Sequence, residues 1–330
     1  MDLAGKKLLL VGGSGLIGSH TTDRLLKEDV AEIRIFDNFS RGRIENLESA
    51  LRDPRVKIFP SSDILMPDVL DEALEGVDGV FHFAALWLLH CYQYPQSAFE
   101  VNFRGTFNVI DACARRRIKR LVFSSSASVY GDALTEPMTE DHPFNNDTLY
   151  GGSKIAGEQM LRSYYAKGKK TGQPFDYVGL RYFNVYGPRQ DYKGAYVAVI
   201  MKMLDRIDAG LPPILHGDGS QAYDFIFVGD CARANVAAMK SDATDGCYNV
   251  CTGKKTSLRA VADMLFELTG APSEIQFEPT NQSFVRNRLG SPDKAKKDLA
   301  FEAETSFKDG LKQLIEWRAE AKKAAAARAH

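Results

Sequence analysis

Tyr150 and Lys154 stand four residues apart in Tyr150-Gly-Gly-Ser-Lys154, which puts a phenol and an amine on one face of a helix. Tyrosine ionises near about pH 10, so it needs a neighbouring cation before it can serve as a base at neutrality. Lys154 supplies one, and Tyr150 can then take the proton of an alcohol as hydride leaves its carbon. Ser126, which closes the run Ser124-Ser125-Ser126, can hydrogen-bond the oxygen as it becomes a carbonyl. Taken alone, Tyr150 and Lys154 also fit a surface pair with apolar stems and polar tips.

Such chemistry needs a hydride acceptor, and Gly12-Gly13-Ser14-Gly15-Leu16-Ile17-Gly18 has the form of a dinucleotide-binding turn. Gly13-x-Gly15-x-x-Gly18 fits the general fingerprint and Gly12-x-x-Gly15-x-x-Gly18 a variant. The apolar run before it reads as a strand and residues 16–26 carry helix-spaced apolar residues, so the glycines fall between strand and helix. A helix N-terminus there presents backbone N–H groups to a pyrophosphate. Ile33-Arg34-Ile35-Phe36-Asp37 is a second strand ending in an acid placed to accept bonds from the adenosine ribose. That carboxylate repels a 2′-phosphate, so NAD is expected, while Arg34, Arg41 and Arg43 keep NADP open. A glycine-rich turn without a ligand is the competing reading.

The elements that must position these groups alternate along the chain. Strand-like runs at 56–59, 79–83, 120–123 and 176–181 are separated by helical stretches near 69–74, 99–116 and 153–167. This predicts an α/β fold, a Rossmann-type doubly wound parallel sheet with ligands beyond the carboxyl ends of its strands. Asp63, Ala84, Ser126 and Asn184 then surround one crevice. After Gly187-Pro188 the alternation breaks, and a helix at 196–209 with the turn-rich segment to Gln221 should cap the crevice. The segments 225–228, 230–239 and 247–250 are expected to return to the main domain, and helices follow near 258–269 and 307–318. The Ala-rich end, 319–330, reads as a frayed helix or an appended tail. The expected division is a cofactor domain over 1–187, with returning segments near 225–250, and a smaller mixed substrate domain from 188–224 and 251–330.

Composition fits an enzyme of this kind. The 330 residues, 44% hydrophobic with a formal net charge of −1, suffice for a full core. Balanced, dispersed charge argues against nucleic-acid and membrane-surface partners. Apolar runs such as 80–89 are shorter than a bilayer span. Lys6-Lys7 before Leu8-Leu9-Leu10 mimics the start of a signal peptide, but glycines end the stretch at once, so a cytoplasmic enzyme is expected. Cys91, Cys113, Cys231, Cys247 and Cys251 include no Cys-x-x-Cys pair, and no metal or redox centre is expected.

Further motifs follow in order: Asp37-Asn38-Phe39-Ser40, His82-Phe83-Ala84-Ala85, Val101-Asn102 with Gly105-Thr106 and Asn108, Ser124 through Gly131, Leu180 through Pro188, and Asp224-Phe225-Ile226. With these in place, the chain resembles the extended short-chain dehydrogenase/reductase family, and within it the nucleotide-sugar epimerases typified by UDP-galactose 4-epimerase, from about Lys6 to Trp317. The resemblance implies catalytic roles for Ser126, Tyr150 and Lys154, with Lys154 also holding the nicotinamide ribose. It implies cofactor contacts at Gly12, Gly15, Leu16, Ile17 and Gly18, at Asp37, Asn38 and Ser40 for the adenosine ribose, and at Asp63 and Ile64 for the adenine. Ala84 and Ala85 go with the pyrophosphate, Tyr182 and Val185 with the nicotinamide, and Ser124 and Asn102 are counted with them; for Asn102 a helix-stabilising role competes. Asn184 is assigned to substrate. A homodimer paired through the helices near 99–116 and 153–167 is also implied.

Family members diverge after oxidation. The resemblance would place Asp-Glu after the catalytic hydroxyl residue in a dehydratase and a Glu at the second position in a sugar-acid decarboxylase, whereas this chain has Ala127 and Ser128. The expected reaction is therefore oxidation of a sugar C4 hydroxyl to a transient ketone and return of hydride to the other face, with a nucleotide-diphosphate sugar as substrate. A nucleotide-sugar reductase or dehydrogenase, and a non-catalytic NAD-sensing protein, stay open. Two arginines that grip the substrate pyrophosphate in the family are replaced, one by Tyr223 and the other by Asn281 or Gln282. Arg189, Arg286 and Arg288 are the candidates to supply the missing contact, and Trp87 and His90 to reshape the sugar pocket.

Overall fold

The structure is a computed structural model that describes residues 1–191, 199–279 and 287–328. Leu8, Leu9, Leu10 and Val11 of β1 (Lys7–Val11) are all fully buried, as a strand covered on both faces requires. β1 pairs in parallel with β2 (Glu32–Phe36) and β4 (Gly79–His82). β3 (Val56–Ile58) extends one side; β5 (Arg120–Ser126), β6 (Tyr177–Tyr182) and β10 (Gly246–Val250) extend the other. The order β10-β6-β5-β4-β1-β2-β3 reverses direction between β1 and β4. Loops leaving those two strands part to opposite faces, which opens a crevice at their carboxyl ends.

α1 (Leu16–Leu25) covers one face, where its Leu25 joins Leu8, Leu10, Ile33 and Ile35. The other face carries α2 (Pro67–Ala73), then, after α3 (Leu88–Gln93), α4 (Pro95–Ala98) and a π-helical stretch Phe99–Gly105, α5 (Thr106–Arg115) and α6 (Leu149–Thr171). The single helix expected over 99–116 is thus π-helical in its first part. α6 starts earlier than the residues 153–167 expected from periodicity, because the Thr148 hydroxyl caps it by accepting from the Gly151 N–H at 3.1 Å.

A second, smaller sheet forms around β9 (Ala222–Phe227). It pairs in parallel with β7 (Asn184–Tyr186) and β13 (Asn287–Arg288), and antiparallel with β11 (Lys255–Ser257). β8 (Ile214–His216) and β12 (Gln276–Glu278) form a separate two-stranded ribbon. α7 (Val199–Asp208), α9 (Leu258–Thr269) and α11 (Phe307–Arg328) pack here around Tyr186, Phe225 and Phe227. α8 (Val228–Lys240) packs into the main core and β10 joins the main sheet, whereas the strand preceding them pairs in the small sheet and sends only Ile226 into the main core. Phe225 is held by Phe307, with ring centroids 5.1 Å apart, and this aromatic cluster keeps β9 in the small sheet. α10 (Asp293–Leu299) packs Ala295 and Leu299 into the main core. Among the described residues no helix is long and apolar enough to cross a membrane.

Candidate active site

The glycine turn leaves β1 and enters α1 at the β1/β4 reversal. Gly12 has φ of +82°, and a Cβ there would lie 2.6 Å from the Ala84 amide nitrogen. A Cβ on Gly18 would meet the Gly12 carbonyl at 2.5 Å, so turn, helix and β4 loop approach with no room for side chains. Gly15, the N-cap of α1, receives no side-chain cap, which leaves its neighbouring N–H groups to a ligand. Asp37, one residue past β2, accepts from the Ser14 N–H at 2.9 Å and the Phe39 N–H at 2.8 Å. Asn38 donates to Asp63 at 3.2 Å, joining the loops after β2 and β3.

These groups line a cavity of about 380 Å³. Its wall includes Gly12, Gly15, Leu16, Ile17 and Gly18 of the turn, Asp37, Asn38 and Ser40 after β2, and Asp63 and Ile64 after β3. Ala84, Ala85 and Trp87 follow β4; Ser124, Tyr150, Lys154 and Tyr182 complete the far end. A glycine cradle on a helix N-terminus, an acid at one end and a Tyr–Lys pair at the other fit a dinucleotide. Of the arginines that left NADP open, Arg34 is held outside the cavity by Glu32 and the Ala73 carbonyl, whereas Arg41 and Arg43 line it, Arg41 stacked over Trp87 at 3.8 Å and Arg43 at 3.5 Å from Asp191.

At the catalytic end, Lys154 is buried and donates to the Ser124 carbonyl at 2.7 Å, with its nitrogen 5.7 Å from the Tyr150 ring centre. Burial pushes its pKa down to about 8, against the pull of Cys91 and Glu158. Ser126, at the end of β5, accepts from the Ser128 N–H at 3.1 Å. Burial raises the Tyr150 phenol above its ordinary value, while the Ser126 hydroxyl, Arg41 and Arg288 work to lower it. Without a cofactor, burial outweighs the protein's own cations, and a bound oxidised nicotinamide ring would add a further positive charge beside the phenol. Behind the site, Glu158 holds Arg181 and accepts from Ser125 at 2.5 Å, which ties α6, β6 and β5 together.

Several expected residues lie elsewhere. Asn102 is turned away from the cavity; it donates to the Leu86 carbonyl at 2.9 Å and accepts from the Leu86 N–H at 2.7 Å, so it holds the loop that carries Trp87. Val185 packs between hydrophobic clusters on β7, and neither it nor Asn184 lines the cavity. Arg189, expected on the substrate diphosphate, faces the cofactor side beside Gln190 and is paired with Asp23 of α1 at 2.6 Å. Tyr223 sits on β9 away from the cavity wall, and Arg286, Asn281 and Gln282 lie outside the described residues. Asn46, Gln190, Asp191 and Trp317 line the cavity without having been singled out; Trp317 arrives from α11, and no local signal marks it.

A parallel sheet with this cradle and a Ser, Tyr and Lys set beyond it defines an NAD-dependent enzyme of the short-chain dehydrogenase type. The family described as the NAD dependent epimerase/dehydratase family matches residues 8–251, and the chain belongs to it. A UDP-glucose 4-epimerase of Mycolicibacterium smegmatis is 30% identical, with 94% of this chain and 98% of that protein covered. A UDP-N-acetyl-alpha-D-glucosaminuronate decarboxylase of Bacillus cytotoxicus is 32% identical, covering 94% of this chain and 97% of its own. The solved UDP-N-acetylglucosamine 4-epimerase of Methanobrevibacter ruminantium M1, in complex with UDP-N-acetylmuramic acid, superposes with a TM-score of 0.89 at 30% identity, over 96% of this chain and 99% of that one. The resemblance read from the motifs is therefore borne out: this is an NAD-dependent nucleotide-sugar enzyme of the epimerase/dehydratase type.

Proposed function

We propose that the protein is a nucleotide-sugar 4-epimerase that uses NAD catalytically. The observation that carries this reading is a complete Ser126, Tyr150 and Lys154 set followed by Ala127 and Ser128, with no acid to drive elimination or loss of a carboxyl group. Tyr150 takes the C4 hydroxyl proton and later returns it, while Ser126 hydrogen-bonds that oxygen. Lys154 holds its charge beside the phenol, fixed by the Ser124 carbonyl. When bound, NAD accepts the hydride and gives it back.

The same reading divides the chain into a cofactor part, 1–187 with returning segments near 225–250, and a substrate part, 188–224 and 251–330. It also takes the enzyme as cytoplasmic and as a homodimer. Exposed Phe99 and Phe107, the former stacked on Phe103 at 5.6 Å, give the dimer helices an apolar face. The test is incubation with UDP-sugars deuterated at C4. Epimers that retain the label, without net NADH, are expected; NADH formed one for one with product would make the enzyme a dehydrogenase.

A further inference from the structure

Four arginines of the described chain are buried: Arg120, Arg181, Arg288 and Arg318. Three of them are neutralised, by Asp176, by Glu158, and by Asp205 with Asp208. Arg288 is the exception. It is only 9% exposed, and among the described residues it forms no close ion pair; the Asp132 carboxylate acts on it only at longer range. Its Nη2 makes one long bond, 3.5 Å to the Gly131 carbonyl, and its buried Nε has no hydrogen-bond partner. A guanidinium without a close counter-ion is costly to bury, and such a group is kept where a ligand supplies the nearer anion.

Its position says which part of a ligand it meets. Arg288 is in register with Tyr223 on the neighbouring parallel strand, so both project from the same face of the small sheet. Gly131, its one contact, ends the turn that starts at Ser126. The guanidinium and the Tyr150 phenol act on one another electrostatically, and burial brings the arginine down to about 10, still a cation at neutral pH. If Tyr150 sits at the C4 hydroxyl, a cation acting on it is placed to meet a group on an adjoining ring carbon, and of these the C6 substituent on C5 is the one that can carry a charge. A neutral hydroxymethyl group there would leave the charge buried and unpaired, whereas a carboxylate matches the guanidinium fork.

We propose that Arg288 recognises a carboxylate on the sugar, making the preferred substrate a nucleoside-diphosphate-linked hexuronic acid. This rests on the nucleotide-sugar reading above. The test compares initial rates of the NAD-loaded protein on UDP-glucuronic acid and UDP-glucose, then repeats them with Arg288→Gln and Arg288→Lys, and measures the Kd of UDP. The parent should prefer the uronate by roughly 100-fold in kcat/KM, and Arg288→Gln should lose most of that preference with little change in UDP affinity, Arg288→Lys restoring part of it. A parent that prefers UDP-glucose overturns the proposal without any variant having to fold. So does Arg288→Gln weakening UDP as much as the uronate, which would put the guanidinium on the diphosphate. Conversion of the uronate to a UDP-pentose and CO2 would support carboxylate recognition and sink the epimerase reading alone. Turnover of neither sugar would sink both.

Discussion

The two sides of the crevice are built from different materials. On the cofactor side the main chain does the holding: Gly12 and Gly18 allow backbone contacts that no side chain would permit, and Asp37 is itself fixed by the Ser14 and Phe39 amides. On the side we propose for substrate, side chains from distant segments converge on short strands, as Arg288 of the two-residue β13 does beside Tyr223. A backbone-built site tolerates few substitutions and carries its chemistry in its local sequence. A side-chain-built site is free to change its ligand.

The largest expected effect tests the junction between the two. Tyr150→Phe keeps the ring and loses only the ionisable oxygen, so turnover should fall by about 10³-fold with NAD binding unchanged. Activity within a few-fold of the parent would move the base to another residue.

Two glycine variants probe the backbone side. A Cβ on Gly18 meets backbone at 2.5 and 2.7 Å, and neither Gly12 nor Gly13 can yield. Gly18→Ala should therefore lower stability by about 1–3 kcal/mol and weaken NAD as well. A Cβ on Gly15 has only the Gly12 carbonyl near it, at 3.5 Å, and faces the cavity. Gly15→Ala should leave the melting temperature almost unmoved while reducing NAD affinity. Parental NAD affinity in Gly15→Ala would show that the pyrophosphate is not held at this turn.

Asp37→Ala removes charge-assisted bonds worth about 1.5–3 kcal/mol, a loss of roughly 10- to 100-fold in NAD affinity. Discrimination against NADP should relax with it. An unchanged NAD to NADP ratio would break the role given to this carboxylate.

The contrast also explains what was legible in the sequence. Strand, glycine turn, helix and acid lie within residues 7–37, and their signals are local, so both the element order there and the cavity wall from Gly12 to Asp37 follow from the motif. The partners of Arg189 and Asn102, Asp23 and Leu86, could not be read in advance because they are set by tertiary approach and leave no pattern in the chain. The strand at Ala222–Phe227 looked like any core strand; Phe307, far along the chain, assigns it to the small sheet. The missing acid partner of Arg288 is visible only once burial is known.

The smallest effect is a pH dependence on the cofactor side. His82, the last residue of β4, is buried against the Phe123 ring and touches Thr106 at 3.2 Å. Burial, with Lys154 adding to it, holds its pKa down to about 3, against about 6.5 in an unfolded chain. Between those values the unfolded state binds the proton and the folded state does not, so acid favours unfolding: stability is unaffected by this group above about pH 6.5 and falls as pH drops toward 3. From pH 6.5 to 5 the loss amounts to about 2 kcal/mol. Urea titrations of the parent and of His82→Gln at pH 7 and pH 5 should show a smaller acid penalty in the variant by that amount. Equal penalties would mean that His82 reaches solvent and that the cofactor side is less closed than its backbone packing requires.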